Sequence, residues 1–170
     1  MKSLYIVVFS LLLASCAGLP KNIEPVADFE LDKYMGKWYE IARLDHSFEK
    51  DLEQVTATYS IKSDGTVGVA NRGLSSKSKE WKDAVGKAKF AGDSSVGYLK
   101  VSFFGPFYGS YVIFDLDKEN YQYSFVTGGE NYLWLLSRTP TISDEIKNKF
   151  LNTIQEYGYN TEELIFVNQE

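Results

Sequence analysis

Between Val55 and Ser137 the chain alternates apolar and polar residues in short runs, and turn signals separate the runs. Val55, Ala57, Tyr59 and Ile61 alternate with Thr56, Thr58 and Ser60. Ser63-Asp64-Gly65-Thr66 then reads as a hairpin turn, after which Val67 and Val69 resume the pattern. Leu99, Val101 and Phe103 alternate with Lys100 and Ser102, and Tyr111, Ile113 and Asp115 alternate with Val112, Phe114 and Leu116. Asp117–Asn120 turns the chain into Tyr121–Thr127, and Gly128–Asn131 turns it into Tyr132–Ser137. A period of two marks strands with one buried face. Many such strands joined by short polar turns fold as an antiparallel sandwich or barrel. Gly86, Gly97, Gly105 and Gly109 interrupt strand-like runs, as bulges and barrel corners require.

One segment changes period. After Pro140, the run Thr141-Ile142-Ser143-Asp144-Glu145 places a capping hydroxyl before two acids, a helix start. Ile146, Phe150 and Ile154 recur every four residues, with Leu151 and Tyr157 beside them, and Gly158 suits the stop. A single helix with one apolar stripe packs on the outside of the sheet. Leu164–Val167 reads as a short final strand.

Composition narrows the function. The formal net charge is −5, and losing Lys2 with a leader makes it more negative. Nucleic acid, which needs a basic footprint, is excluded as a partner. A single cysteine allows neither an internal disulfide nor a cysteine-rich metal site. One histidine, His46, argues against haem or zinc, and no cofactor is expected. The aromatic content of 15% suits both strands and an apolar, selective cavity.

The N-terminus reads as an export signal. Lys2 precedes an apolar run from Leu4 to Leu13, broken only by Ser10, and Leu13-Ala14-Ser15-Cys16 follows. The run is too short to span a bilayer core of about 30 Å. Leu13–Cys16 resembles the lipobox of bacterial lipoproteins, which implies cleavage before Cys16 and acylation of Cys16. The alternatives are an ordinary signal peptide containing a cysteine, or an uncleaved anchor. Several acyl chains would make a stable tether. Ala17 in place of aspartate implies, by the same resemblance, the outer membrane, here taken on its periplasmic face. The expected organisation is a signal over 1–15, a lipidated tether over 16–30 with Pro20 and Pro25, and one domain over 31–170.

Three motifs resemble the lipocalin family, and its bacterial lipoprotein branch in particular, with similarity to apolipoprotein D. The first is Gly36-Lys37-Trp38-Tyr39-Glu40-Ile41-Ala42-Arg43, which matches the Gly-x-Trp entry to a first strand. Tyr111-Val112-Ile113-Phe114-Asp115 keeps the aspartate of a second motif but not its neighbours. Tyr132–Arg138 carries the arginine that follows an eighth strand. The stretches Val101–Gly109 and Leu136–Glu145 are similar to the bacterial branch. The resemblance implies an all-β fold: an eight-stranded antiparallel up-and-down barrel, closed at one end, with the helix packed outside. It implies that Gly36, Trp38 and Arg138 are structural, with Trp38 plugging the closed end under Arg138.

A barrel of about eight strands can hold one small ligand. The resemblance implies a fatty acid or lysophospholipid, carried for storage or transport in the cell envelope. Candidate lining residues are Tyr59, Ile61, Leu99, Val101, Phe103, Tyr108, Tyr111 and Trp134. A one-residue bulge would reverse which face of a strand points inward. Two alternatives stay open: a tethered interaction protein with a filled barrel, and a lipid-processing enzyme. His46 lies near Asp45, Ser47 and Glu49, but there is no Gly-x-Ser-x-Gly elbow, and His46 is expected to be a surface-loop residue. A homodimer is possible, since some members of the family pair.

Overall fold

The computed structural model describes residues 22–170. The lipobox candidate Cys16 and the leader lie outside the described residues. Eight strands form the wall: β1 Gly36–Leu44, β2 Leu52–Ile61, β3 Val67–Ser75, β4 Trp81–Phe90, β5 Tyr98–Ser102, β6 Gly109–Leu116, β7 Tyr123–Gly129 and β8 Tyr132–Ser137. Each pairs antiparallel with the next, and β1 also pairs with β8 and β2, which closes the barrel. A short helix α1, Leu31–Tyr34, precedes β1. Helix α2, Asp144–Glu156, and a final strand β9, Leu164–Phe166, lie outside the wall, with β9 paired to β1. The expected architecture is therefore the observed one.

Strand alternation divides the apolar residues into two cores. Trp38, Tyr59, Val67, Val69, Ala88, Leu99, Ile113, Leu116, Val126 and Leu136 form the inner cluster. Phe125, Leu133, Leu135, Val112 and Phe114 face outward and meet Phe150 and Ile154 of α2. The apolar stripe of α2 explains its place, since burying both Phe150 and Ile154 needs an apolar outer wall. Ser143 caps α2 by accepting from the Ile146 amide, as the sequence suggested.

Two boundaries differ from the sequence reading. The chain before residue 31 is no free tether over its described part. Ile23 and Phe29 are buried, Val26 N donates to the Ile113 carbonyl at 2.8 Å, and Phe29 N donates to the Ser95 carbonyl at 2.8 Å. The packed domain thus begins before residue 31, because apolar side chains in an otherwise polar run find a groove that local sequence does not show. The last hairpin is also tighter. Gly128 and Gly129 belong to β7, and the turn narrows to Glu130 and Asn131.

β1 starts at the closed end of the barrel, so the β1–β2, β3–β4, β5–β6 and β7–β8 loops lie at the opposite, open end. The closed end is sealed by residues around Trp38. The indole is fully buried and its Nε1 donates to the Tyr34 carbonyl at 2.8 Å. Gly36, at φ +94°, makes the turn from α1 into β1 in a backbone region that side chains disfavour.

Candidate functional site

The inner face of the barrel has a floor of aromatic rings and, above it, smaller or half-exposed residues. The floor is tyrosine. The Tyr111 hydroxyl bonds the Tyr34 and Tyr59 hydroxyls, each at 2.8 Å, and Tyr34 also bonds Ser124 Oγ at 3.2 Å. Burial raises the pKa of all three phenols, that of Tyr34 to about 12, so they stay neutral donors and acceptors. Below them Phe29, Tyr34 and Trp38 pack ring against ring, with Phe29–Tyr34 centroids 5.3 Å apart and Tyr34–Trp38 centroids 4.8 Å apart.

Above the floor the inward positions are small or half-exposed. On β2, β3 and β4 the row Ala57, Asn71 and Ala84 pairs across the wall, and Val69 pairs with Gly86. Val101 on β5, Phe103 just beyond its end and Trp134 on β8 pack half-buried on the same inner cluster. Solvent still reaches these inward residues. Asn71 Oδ1 has no partner among the described residues, a polar atom left facing the inner row.

The candidate lining residues divide accordingly. Tyr59 and Leu99 are buried low in the barrel, with Tyr59 in the floor. Val101, Phe103, Tyr111 and Trp134 belong to the inner cluster. Ile61 and Tyr108 do not. Ile61 is 48% exposed at the closed-end hairpin, where β2 has run past the inner cluster. Tyr108 is 37% exposed in the β5–β6 loop, and the Lys89 ammonium sits 4.9 Å from its ring centre on the outer side. Two shallow grooves of about 300 and 230 Å³ lie beside the C-terminal segment and hold none of the candidates.

A charged cluster inside the barrel was not legible from sequence. Strict alternation cannot point both Glu40 and Arg43 inward. A register shift between Glu40 and Ala42 does so, pairing Glu40 with Leu136 and Arg43 with Trp134. Arg43 Nη1 donates to Glu40 Oε1 at 2.8 Å, and Nη2 donates to the Glu49 and Leu52 carbonyls at 3.0 and 3.1 Å. Trp134 Nε1 donates to Glu49 Oε2 at 3.1 Å. These bonds fold the β1–β2 loop onto the open end. Burial, and then the charge of Glu49, push the Glu40 carboxyl well above the usual carboxylate range, against the pull of Arg43.

His46 is part of this cluster, contrary to the surface-loop expectation. It is buried, its Nε2 is 2.9 Å from Glu49 Oε2, and its ring stacks on Phe48 at 4.0 Å between centroids. An imidazole with three aromatic neighbours, Phe48, Tyr132 and Trp134, gains more from packing than from exposure. Ser47 is exposed, and His46 Nδ1 has no hydrogen-bond partner. No nucleophile therefore meets a base here among the described residues.

At the closed end the structure places Arg138 over Trp38, as the resemblance implied. The guanidinium carbon lies 3.9 Å from the ring centre. Its three nitrogens donate to the carbonyls of Tyr121, Lys37 and Lys33, at 3.2, 3.0 and 2.7 Å. All of its bonds are to backbone carbonyls, so it is an architectural clamp.

A closed eight-stranded antiparallel barrel with an outer helix and a tryptophan plug under an arginine define the lipocalin architecture. The chain belongs to the lipocalin-like domain family, which matches residues 29–169. It is 56% identical over 171 residues to the outer membrane lipoprotein Blc of Vibrio cholerae serotype O1, with all of both chains covered. It is 31% identical over 150 residues to apolipoprotein D of Mus musculus, covering 84% of this chain and 78% of that one. Insecticyanin of the tobacco hornworm Manduca sexta has a similar fold, at a TM-score of 0.71 and 20% identity, covering 89% of this chain and 86% of that one.

Proposed function

We propose that the protein is a carrier in the outer membrane, anchored by lipid on Cys16, that holds one single-chain lipid in its barrel. The ligand class is a lysophospholipid or fatty acid, kept for storage or transport in the envelope. The observation that carries this reading is the solvent-reached inner row formed by Ala57, Val101, Phe103, Tyr111 and Trp134. Each methylene moved from water into such a chamber gains about 0.8 kcal/mol. Ten of them supply about 8 kcal/mol gross against the ordering cost of binding. The full-length likeness to lipoproteins named for the outer membrane supports the location. Family membership, together with a His46 that meets no nucleophile, supports a carrier rather than an enzyme.

The test is extraction of lipids that copurify with the mature full-length protein, compared with an Ala57→Trp variant whose added indole fills the chamber. The expected result is about one single-chain lipid per barrel, lost in the variant. An identical lipid profile for both proteins would contradict the reading.

A further inference from the structure

The two halves of β4 are built differently. From Lys87 to Phe90 the strand pairs with β5, and the inward Ala88 is buried. From Trp81 to Val85 it has β3 alone as partner, and every residue is exposed, including Lys82 and Ala84 on the inward parity. β5 ends at Ser102 and β6 begins at Gly109. Extending the Lys87–Ser102 register puts Val85 level with Phe104, yet the two strands no longer pair there. Val85 is 71% exposed, Phe104 82% and Phe107 79%. The barrel wall is slit at this place.

The slit is unlike the other gap in the wall. Upper β1 and upper β2 also part, but the C-terminal segment fills the space. Val167 N donates to the Ile41 carbonyl at 2.9 Å, Gln54 N to the Asn168 carbonyl at 2.7 Å, and Gln169 Nε2 to the Glu40 and Val55 carbonyls at 2.7 and 3.0 Å. Among the described residues nothing straps the slit beside β4. At its foot the Phe103 ring lies against Gly86, where an added Cβ would come within 2.9 Å of that ring and 2.7 Å of the Ser102 carbonyl. No charged residue occurs between Lys100 and Asp115.

We propose that this slit is a lateral portal, through which the alkyl chain of a single-chain lipid passes sideways from a phospholipid surface into the barrel. The inference rests on the lipid-carrier reading. The route beneath the β1–β2 loop crosses Glu40, Arg43 and Glu49, whose charges an alkyl chain would have to strip of polar partners. The slit offers Val85, Phe104 and Phe107 instead, and it opens on Phe103 and the inner row. Exposed aromatic rings on an uncharged loop suit the interfacial zone of a bilayer.

The experiment uses the mature full-length protein in phosphatidylethanolamine–phosphatidylglycerol vesicles. A Val85→Cys, Phe104→Cys variant is bridged across the slit with a reducible bifunctional thiol reagent. The probe is a dansyl-labelled undecanoic acid, followed by energy transfer from tryptophan. Bridging should slow entry and exit of the probe by about tenfold or more while changing its affinity by less than about threefold, and reduction should restore the rates. A Phe104→Ser, Phe107→Ser variant, altered only at exposed positions, should slow transfer from the vesicles with the same affinity retained. Unchanged rates in the bridged protein would overturn the portal while leaving the carrier intact. A wild-type protein that takes up no probe would overturn both.

Discussion

The guanidinium of Arg138 lies over the indole of Trp38, its carbon 3.9 Å from the ring centre, while the three guanidinium nitrogens donate to three separate backbone carbonyls. One side chain thus joins α1, β1, the β6–β7 turn and the end of β8. A cation over a desolvated ring contributes about 0.5–2 kcal/mol, and each carbonyl bond about 1 kcal/mol. Arg138→Ala should destabilise the fold by about 2–3 kcal/mol in urea unfolding, with lipid affinity nearly unchanged. Arg138→Lys should recover part of the loss, since it keeps the charge but not the fork.

The tyrosine floor predicts an alkaline limit. Burial holds the Tyr34 hydroxyl up at about 12, with Tyr59 and Tyr111 shifted the same way. A phenol whose folded value exceeds its unfolded value of about 10 stabilises fully below that value and loses its contribution as pH rises. Thermal melts should show stability falling between about pH 10 and 12. Tyr111→Phe removes the hydroxyl that both neighbours share and should cost about 1–3 kcal/mol at neutral pH.

The inner charged cluster predicts a response of the same sign at lower pH. Burial and Glu49 raise Glu40, so the folded state binds more protons than the unfolded one above the ordinary carboxylate value of about 4.3. Stability therefore falls as pH rises through the window between that value and the folded one. Glu40→Gln keeps the shape and removes the titration. Melting curves from about pH 5 to 8 should be flatter for the variant than for the wild type. An equal slope for both would place the proton elsewhere.

Glu49 fastens the β1–β2 loop through Trp134 Nε1 at 3.1 Å. Glu49→Ala should leave the barrel folded, speed amide exchange in residues 45–51 and move the tryptophan emission to longer wavelength. Unaltered exchange there would mean that Arg43, through its bonds to the loop carbonyls, holds the loop alone.

The alternation over Val55–Tyr59 survives folding, because a half-buried strand writes its geometry into a period of two. The stripe Ile146–Phe150–Ile154 did the same for α2. Gly36, Trp38 and Arg138 were readable through the resemblance to the lipocalin motifs, and the structure places Arg138 over Trp38. What failed was local. The register shift after Glu40 turned Arg43 inward, and no periodicity announces a bulge. His46 was misplaced because its burial depends on Phe48, Tyr132 and Trp134, which only the folded loop brings together. Ile61 kept its parity but overran the chamber, since alternation gives the face of a strand and not its depth.

The central claim is a chamber that binds one alkyl chain beside Trp134. The direct measurement is titration of a brominated fatty acid into the vesicle-anchored protein while following tryptophan emission. Trp38 is buried beneath the floor and Trp81 lies exposed beside Arg72 on β4, so the saturable part of the quenching should come from Trp134, at about one ligand per chain. It should be lost in Trp134→Phe. Emission that falls without saturating, or that falls equally in the variant, would mean that no chain enters the barrel.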